Sequence, residues 1–269
     1  MSETEKSANE WRGKWALITG SSSGIGKAIA EQLAASGAHL ILTARRNDRL
    51  KSLAEELNSR HSIQVRVIEA DLNDSRAPAE IFAFTQAQGI EVDILVNNAG
   101  LGDYGEFCTS DLSRQLSMVQ VHCHTVVHLI HLYLSEMVKR RRGHVLIVAT
   151  TALIPAPYLA TYAATKGFDL LFAEGLAEEV ARYGVRVCAL CPGPTESELM
   201  ATPDNVAAEE SHDAQSAESV ARGALRGMAR GTTCIRPSLL ARITANMPRF
   251  LPRATISGMT EKYYRPKHL

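Results

Sequence analysis

No apolar run in the chain approaches the roughly 18 residues that a membrane-spanning helix needs. Neither sign of charge is in excess: 29 Lys and Arg stand against 29 Asp and Glu, so no net field recruits nucleic acid. A disulfide framework is also missing. The five cysteines, Cys108, Cys123, Cys188, Cys191 and Cys234, are odd in number and scattered through mostly apolar segments. They read as reduced, buried thiols and place the protein in the cytoplasm. Residues 1–10 have no apolar centre of the kind a secretory leader carries, and are expected to form a frayed polar tail. There is no long Pro/Gly/Ser linker, internal repeat or low-complexity tract. Residues 11–269 therefore read as one domain.

What is present is a hydrophobic content of 45%, enough for a sizeable core. Strand-like apolar runs occur at Lys14–Thr19, Ala38–Ala44, Gln64–Ile68, Val92–Asn97, His144–Ala149 and Val185–Leu190, with a last short one at Thr232–Arg236. Helical patterns separate them, at Gly24–Ser36, Asp48–Ser59, Asp74–Gln88, Asp111–Arg140, Leu159–Tyr183 and Ala217–Arg230. Such alternation predicts right-handed crossovers and an α/β, doubly wound Rossmann-type domain, a parallel sheet of about seven strands with helices on both faces. After Pro194 the pattern loosens. The polar, acidic stretch 195–216, broken by Pro203, follows a parallel strand and is expected to be a substrate lid. The C-terminal segment 237–269 mixes basic and apolar residues. Pro248 and Pro252 interrupt any long amphipathic helix there, so membrane contact is not the expectation.

The first strand ends in Thr19-Gly20-Ser21-Ser22-Ser23-Gly24-Ile25-Gly26, where Ile25, Ile29 and Leu33 start a helical spacing. A turn poor in side chains lets backbone approach phosphate oxygens, and the N–H groups and dipole of the helix start attract their charge. This predicts a dinucleotide pyrophosphate at Gly20, Ser22, Ser23, Gly24, Ile25 and Gly26. Roughly 20 residues beyond such a turn, an acid would take the adenosine ribose hydroxyl. Here stand Arg45 and Arg46. Guanidinium groups suit a ribose 2′-phosphate, so the cofactor is expected to be NADP(H). Asp71 and Leu72 follow the third strand, and Asn98, Ala99 and Gly100 the fourth; both sets are expected beside the nucleotide.

Tyr162 and Lys166 lie four apart at helical periodicity, so their side chains share a face. An ammonium beside a phenol favours phenolate and makes the hydroxyl a usable acid or base near neutrality. The strand before them ends in Ala149-Thr150-Thr151, which supplies a hydroxyl.

Thr19-Gly20 with Gly24 and Gly26, then Asn97-Asn98-Ala99-Gly100, then Tyr162 with Lys166, then Pro192-Gly193 occur in the order and approximate spacing of the short-chain dehydrogenase/reductase family. The chain resembles that family from about Lys14 to Thr195, and most of all its NADP-preferring members acting on carbonyl or alcohol groups. The resemblance implies hydride exchange between nicotinamide and a carbonyl carbon, with Tyr162 handling the oxygen's proton. Lys166 would lower the tyrosine's proton affinity and hold the nicotinamide ribose. Pro192, Gly193 and Thr195 would contact the nicotinamide end. The implied assembly is a homodimer or homotetramer.

Two positions depart from that family. Where it places a serine before the tyrosine, a gapless count lands on Ala149, so Thr150 is the candidate hydroxyl and Thr151 the fallback. Where it has asparagine at a helix kink, this chain has His122, either a proton relay or a tolerated replacement. His124, His128 and His131 share a helical face, but adjacent turns of one helix rarely give three ligands to one ion, and no metal is expected. Two functions stay open: an NADPH-dependent oxidoreductase on a small, apolar carbonyl or secondary alcohol, or an NADPH-binding regulatory or interaction protein with weak or lost catalysis. Leu153, Ile154, Leu159, Leu199 and Met200 point to a greasy substrate.

Overall fold

The computed structural model describes residues 10–150, 154–195, 214–238 and 251–266. Its centre is one seven-stranded sheet in the order β3-β2-β1-β4-β5-β6-β7. The strands are β1 (Trp15–Thr19), β2 (His39–Ala44), β3 (Val65–Glu69), β4 (Val92–Asn97), β5 (Gly143–Val148), β6 (Val185–Leu190) and β7 (Cys234–Ile235). Every neighbouring pair runs parallel. Helices α1 (Gly24–Ala35), α2 (Asn47–Arg60), α3 (Ala77–Ala87), α4 (Leu112–Val119), α5 (Thr125–Arg140), α6 (Ala160–Val180), α7 (Ala217–Ala229) and α8 (Arg253–Tyr264) connect or cover them.

Continuous apolar strands are what a sheet covered on both faces requires, because consecutive side chains point to opposite sides. Leu17 and Ile18 show this directly. Ile18 joins Leu33, Leu42, Leu146 and Met228 in the core under α1 and α7. Leu17 joins Ile41, Leu95, Leu129 and Leu170 in the core under α5 and α6. Strand order reverses direction between β1 and β4, and their C-terminal ends open the crevice where such sheets take ligands.

Two expectations need correction. The helix expected over Asp111–Arg140 is broken by a π-helical turn at Gln120–His124, where Thr125 N–H donates to the Gln120 carbonyl. Val121 and His122 in that turn are both buried. Of the expected tail 1–10 only Glu10 lies within the described residues, where it pairs with Lys14 at 3.3 Å; the next residue, Trp11, is 1% exposed, its ring edge-on to His144. The five thiols are free, but only Cys188 and Cys191 are buried, and Cys108 is exposed. Among the described residues no helix is long and apolar enough to cross a membrane.

Candidate active site

The glycine turn between β1 and α1 is packed against the end of β4. Gly20 sits at φ 66° and Gly24 at φ 55°, backbone that disfavours side chains. A Cβ on Gly20 would meet Ala99 Cα at 2.8 Å, and one on Gly26 would meet the Gly20 carbonyl oxygen at 2.5 Å. The turn thus has to be bare of side chains at these positions. Helix α1 begins at Ser23 with no side-chain cap and no acid in its first turn, so its first amides and dipole are left for an anion. Ile25 packs on the core and anchors the helix start.

Arg46 reaches back over this turn. Its Nη2 donates to Ser22 Oγ at 2.9 Å and to Ser23 Oγ at 2.8 Å, and its Nε to Ser22 Oγ at 3.2 Å. The exposed guanidinium is thereby held at the rim of the glycine turn, with the exposed Arg45 next to it at the end of β2. Both sites fit an anionic nucleotide with an additional phosphate on its ribose.

Asn98 joins the end of β4 to the glycine turn. Its Nδ2 donates to the Thr19 and Gly20 carbonyls at 2.9 and 3.2 Å, and its backbone N–H and that of Ala99 both donate to Thr19 Oγ1. The side chain braces the glycine turn from below. Ala99 and the exposed Gly100 continue along the rim. Asp71 forms an Asx turn with Asn73 N–H, and the buried Leu72 offers its carbonyl to Thr125. Beyond β6, Thr195 Oγ1 donates to the Gly193 carbonyl at 2.9 Å and Thr195 bridges to Gln215. The buried Pro192 and half-buried Gly193 lead into that bridge. Most of the expected lid, residues 196–213, lies outside the described residues, as do Thr151 and Leu153.

Helix α6 carries Tyr162 and Lys166 on one face. Lys166 is 5% exposed, and its Nζ donates to the Val148 carbonyl at 2.7 Å and to Asp169 Oδ2 at 2.9 Å. The expected lowering of the Tyr162 proton affinity is corrected here. Burial raises the phenol above the ordinary tyrosine value; Lys166 pulls it down, and the Asp169 carboxylate adds to the rise. The net direction is upward because burial outweighs the pull of the ammonium. Thr150 lies half-buried at the end of β5, directly after the 3% exposed Ala149.

His122 is fully buried. Leu101 N–H donates to its Nε2 at 3.0 Å, so Nε2 carries no proton and the neutral ring holds its proton on Nδ1. That nitrogen lies 2.8 Å from Thr165 Oγ1, which in turn donates to the Tyr162 carbonyl at 2.8 Å. Burial, with the nearby Lys166 charge, holds the imidazole well below its usual proton affinity. Of the two readings of His122, relay and replacement, the geometry supports a bracket. It ties the loop after β4 to the start of α6, and has no nitrogen left to pass a proton.

The C-terminal helix roofs the cleft. Tyr104 Oη donates to the Tyr264 carbonyl at 2.7 Å, Tyr158 Oη to Glu261 Oε1 at 3.0 Å, and Thr260 Oγ1 to the Pro155 carbonyl at 2.7 Å. Tyr264 is buried enough to have its proton affinity raised, with Tyr263 and Tyr162 adding to the rise, so it neighbours the catalytic candidate. Among the described residues no group of His, Cys, Asp and Glu could hold a metal ion; His124 and His128 stack edge to face.

Sequence reasoning overlooked two things here. The covering residues of α8 carry no motif. Asp169, by contrast, left a signal: a lone acid between Phe168 and Leu170, one turn past Lys166, in an apolar helical stretch.

Residues 14–206 match the family model described as short chain dehydrogenase. The very-long-chain 3-oxoacyl-CoA reductase of Mus musculus is 30% identical over 257 residues, covering 93% of this chain and 80% of the relative. A short-chain dehydrogenase from Sphingobium yanoikuyae solved in complex with NADPH superposes with a TM-score of 0.80 at 26% identity, over 88% of this chain and 93% of that one. The bulky-bulky ketone specific alcohol dehydrogenase from Comamonas testosteroni gives 0.74 at 26% identity, over 90% and 96%.

Proposed function

Since the chain belongs to the short chain dehydrogenase family, oxidoreductases acting on alcohol and carbonyl groups, we propose that it reduces a bulky, apolar carbonyl compound with NADPH. The observation that carries this reading is the α6 face, where Tyr162 stands one turn from a buried Lys166 whose ammonium is fixed by Val148 and Asp169. NADP(H) would supply and accept the hydride. Gly20, Gly24, Ile25 and Gly26 would bind its pyrophosphate, with Arg45, Arg46, Ser22 and Ser23 at the ribose phosphate. Pro192, Gly193 and Thr195 would meet the nicotinamide end. The 2′-phosphate preference rests on Arg46 being held at the rim with no acid in its place.

For the chemistry, the chain contributes a proton and its placement. Tyr162 donates its phenolic proton to the substrate oxygen as charge develops there, and Thr150 offers a second hydroxyl to the same atom. Lys166 orients the ribose and stabilises the phenolate that remains. The tyrosines of the roof, Tyr104, Tyr158 and Tyr264, together with Leu159, support an apolar substrate in keeping with the long-chain and bulky-ketone relatives. Leu116 and Val119 on α4, Val127 on α5 and Leu171 on α6 are exposed apolar residues that support a homodimer or homotetramer. The free thiols support a cytoplasmic setting.

Screening NADPH oxidation against aliphatic, aromatic and steroid-like ketones tests the reading. Turnover of a bulky ketone is expected. Enhanced NADPH fluorescence on binding, with no oxidation across the panel, would favour a cofactor-binding regulatory protein instead.

A further inference from the structure

Asp169 is 1% exposed and sits in the apolar core under α6. Burying a carboxylate there costs several kcal/mol unless it is paired, and a Leu or Val would fill the position without that cost. Only one of its oxygens has a protein partner. Oδ2 accepts from Lys166 Nζ at 2.9 Å, while Oδ1 is buried with no hydrogen-bond partner among the described residues. A residue kept for packing or for a structural network would satisfy both oxygens. What Asp169 does contact is the one ammonium the proposed reaction needs.

That ammonium has three hydrogens. Val148 and Asp169 take two of them, which fixes the direction of the third. The pair is also a compensated charge. We propose that Asp169 is a positioning residue that locks the Lys166 ammonium against the Val148 carbonyl and screens its positive charge from the Tyr162 phenol. The consequence is a site set for the reduction sense. A phenol kept protonated in the empty cleft is ready to donate to a carbonyl oxygen, whereas a phenolate would be ready to accept from an alcohol.

The other titratable groups around Tyr162, Lys166 and Asp169 do not supply the same effect. His122, from the π turn, is neutral and bound through both nitrogens. Cys123, from the same turn, holds its proton with its pKa raised to about 11 by burial and by Asp169, against the pull of Lys166. Tyr264, from α8, is a protonated phenol with its own proton affinity raised. Beside burial, which is the largest influence on the phenol, the Lys166 and Asp169 charges are the ones that act on Tyr162, and they oppose one another.

This inference rests on Tyr162 being the proton donor of the proposed reductase, but it can be tested without turnover. The phenolate ultraviolet absorbance of the cofactor-free full chain is titrated, and the signal of the same chain carrying Tyr162→Phe is subtracted to isolate one phenol among seven tyrosines. Asp169→Asn keeps an oxygen for Lys166 and removes the charge, and is expected to move the Tyr162 step to lower pH. Lys166→Met is expected to move it to higher pH. A step left in place by Asp169→Asn, while Lys166→Met moves it, would overturn the proposal. If the Asn variant does not fold, Asp169→Ser gives the same readout. A downward shift with no ketone turnover in the parent would leave the screening role standing and remove the reductase reading.

Discussion

Leu101 N–H donates to His122 Nε2 at 3.0 Å, and this single bond fixes the tautomer of the buried imidazole that lies edge-on to the Tyr162 ring of α6. A ring bound through both nitrogens and held well below its usual proton affinity does not titrate during catalysis. The kcat-versus-pH profile of His122→Asn should therefore superimpose on that of the parent. His122→Ala should cost about 1–3 kcal/mol of stability by stranding the Leu101 amide. A profile that loses an ionisation in His122→Asn would restore the relay.

His144 contributes a pH dependence to the stability of the fold. Burial first, then Lys14 and Arg186, lower its pKa to about 3. The unfolded chain takes up a proton near pH 6.5 and the folded one does not, so stability falls as pH drops through that window. At pH 5 the loss from this group is about 2 kcal/mol. Denaturant unfolding of the parent and His144→Gln at pH 7.5 and pH 5, on either side of the unfolded transition, should show a smaller pH loss in the variant. Equal losses would contradict the assignment.

Cofactor choice is expected to follow the arginines. Charge-assisted hydrogen bonds contribute about 1.5–3 kcal/mol, so Arg46→Ala should raise the Kd of NADPH about tenfold or more and leave that of NADH nearly unchanged. Arg45→Asp should weaken NADPH further by repelling the phosphate. Fluorescence titration measures both. Equal NADPH Kd values in variants and parent would remove the 2′-phosphate site.

The alternation of strands and helices was legible because a parallel sheet leaves its continuous apolar runs in the sequence, as at Leu17-Ile18 and Leu146-Ile147. The glycine turn was legible too, since close approach of Gly20 and Gly26 to β4 admits no other residue. The π turn at Gln120–His124 was hidden, because apolar spacing does not distinguish one extra residue within a long helix. The brace role of Asn98 was hidden for another reason. Its hydrogen bonds join residues about 80 positions apart, and no local pattern encodes such a pair. The sign at Tyr162 was misjudged because a motif names the ammonium and says nothing of how deeply the phenol is buried, to which the Asp169 carboxylate adds.

A hydroxyl at the end of β5 is expected to share the substrate oxygen with the phenol. Thr150→Ala should slow reduction more than about tenfold, in line with the loss of one aimed donor. Thr151→Ala should leave the rate within a small factor of the parent. The reverse ordering, read from kcat on the best ketone of the panel, would assign the role to Thr151.

The central claim is that the Tyr162 phenol supplies the proton. Tyr162→Phe removes one oxygen and keeps the ring, so NADPH affinity should stay near that of the parent while kcat falls by about 10²–10⁴-fold, the usual contribution of a placed acid. Ketone reduction by Tyr162→Phe at the parental rate, with NADPH bound as tightly, would contradict the account.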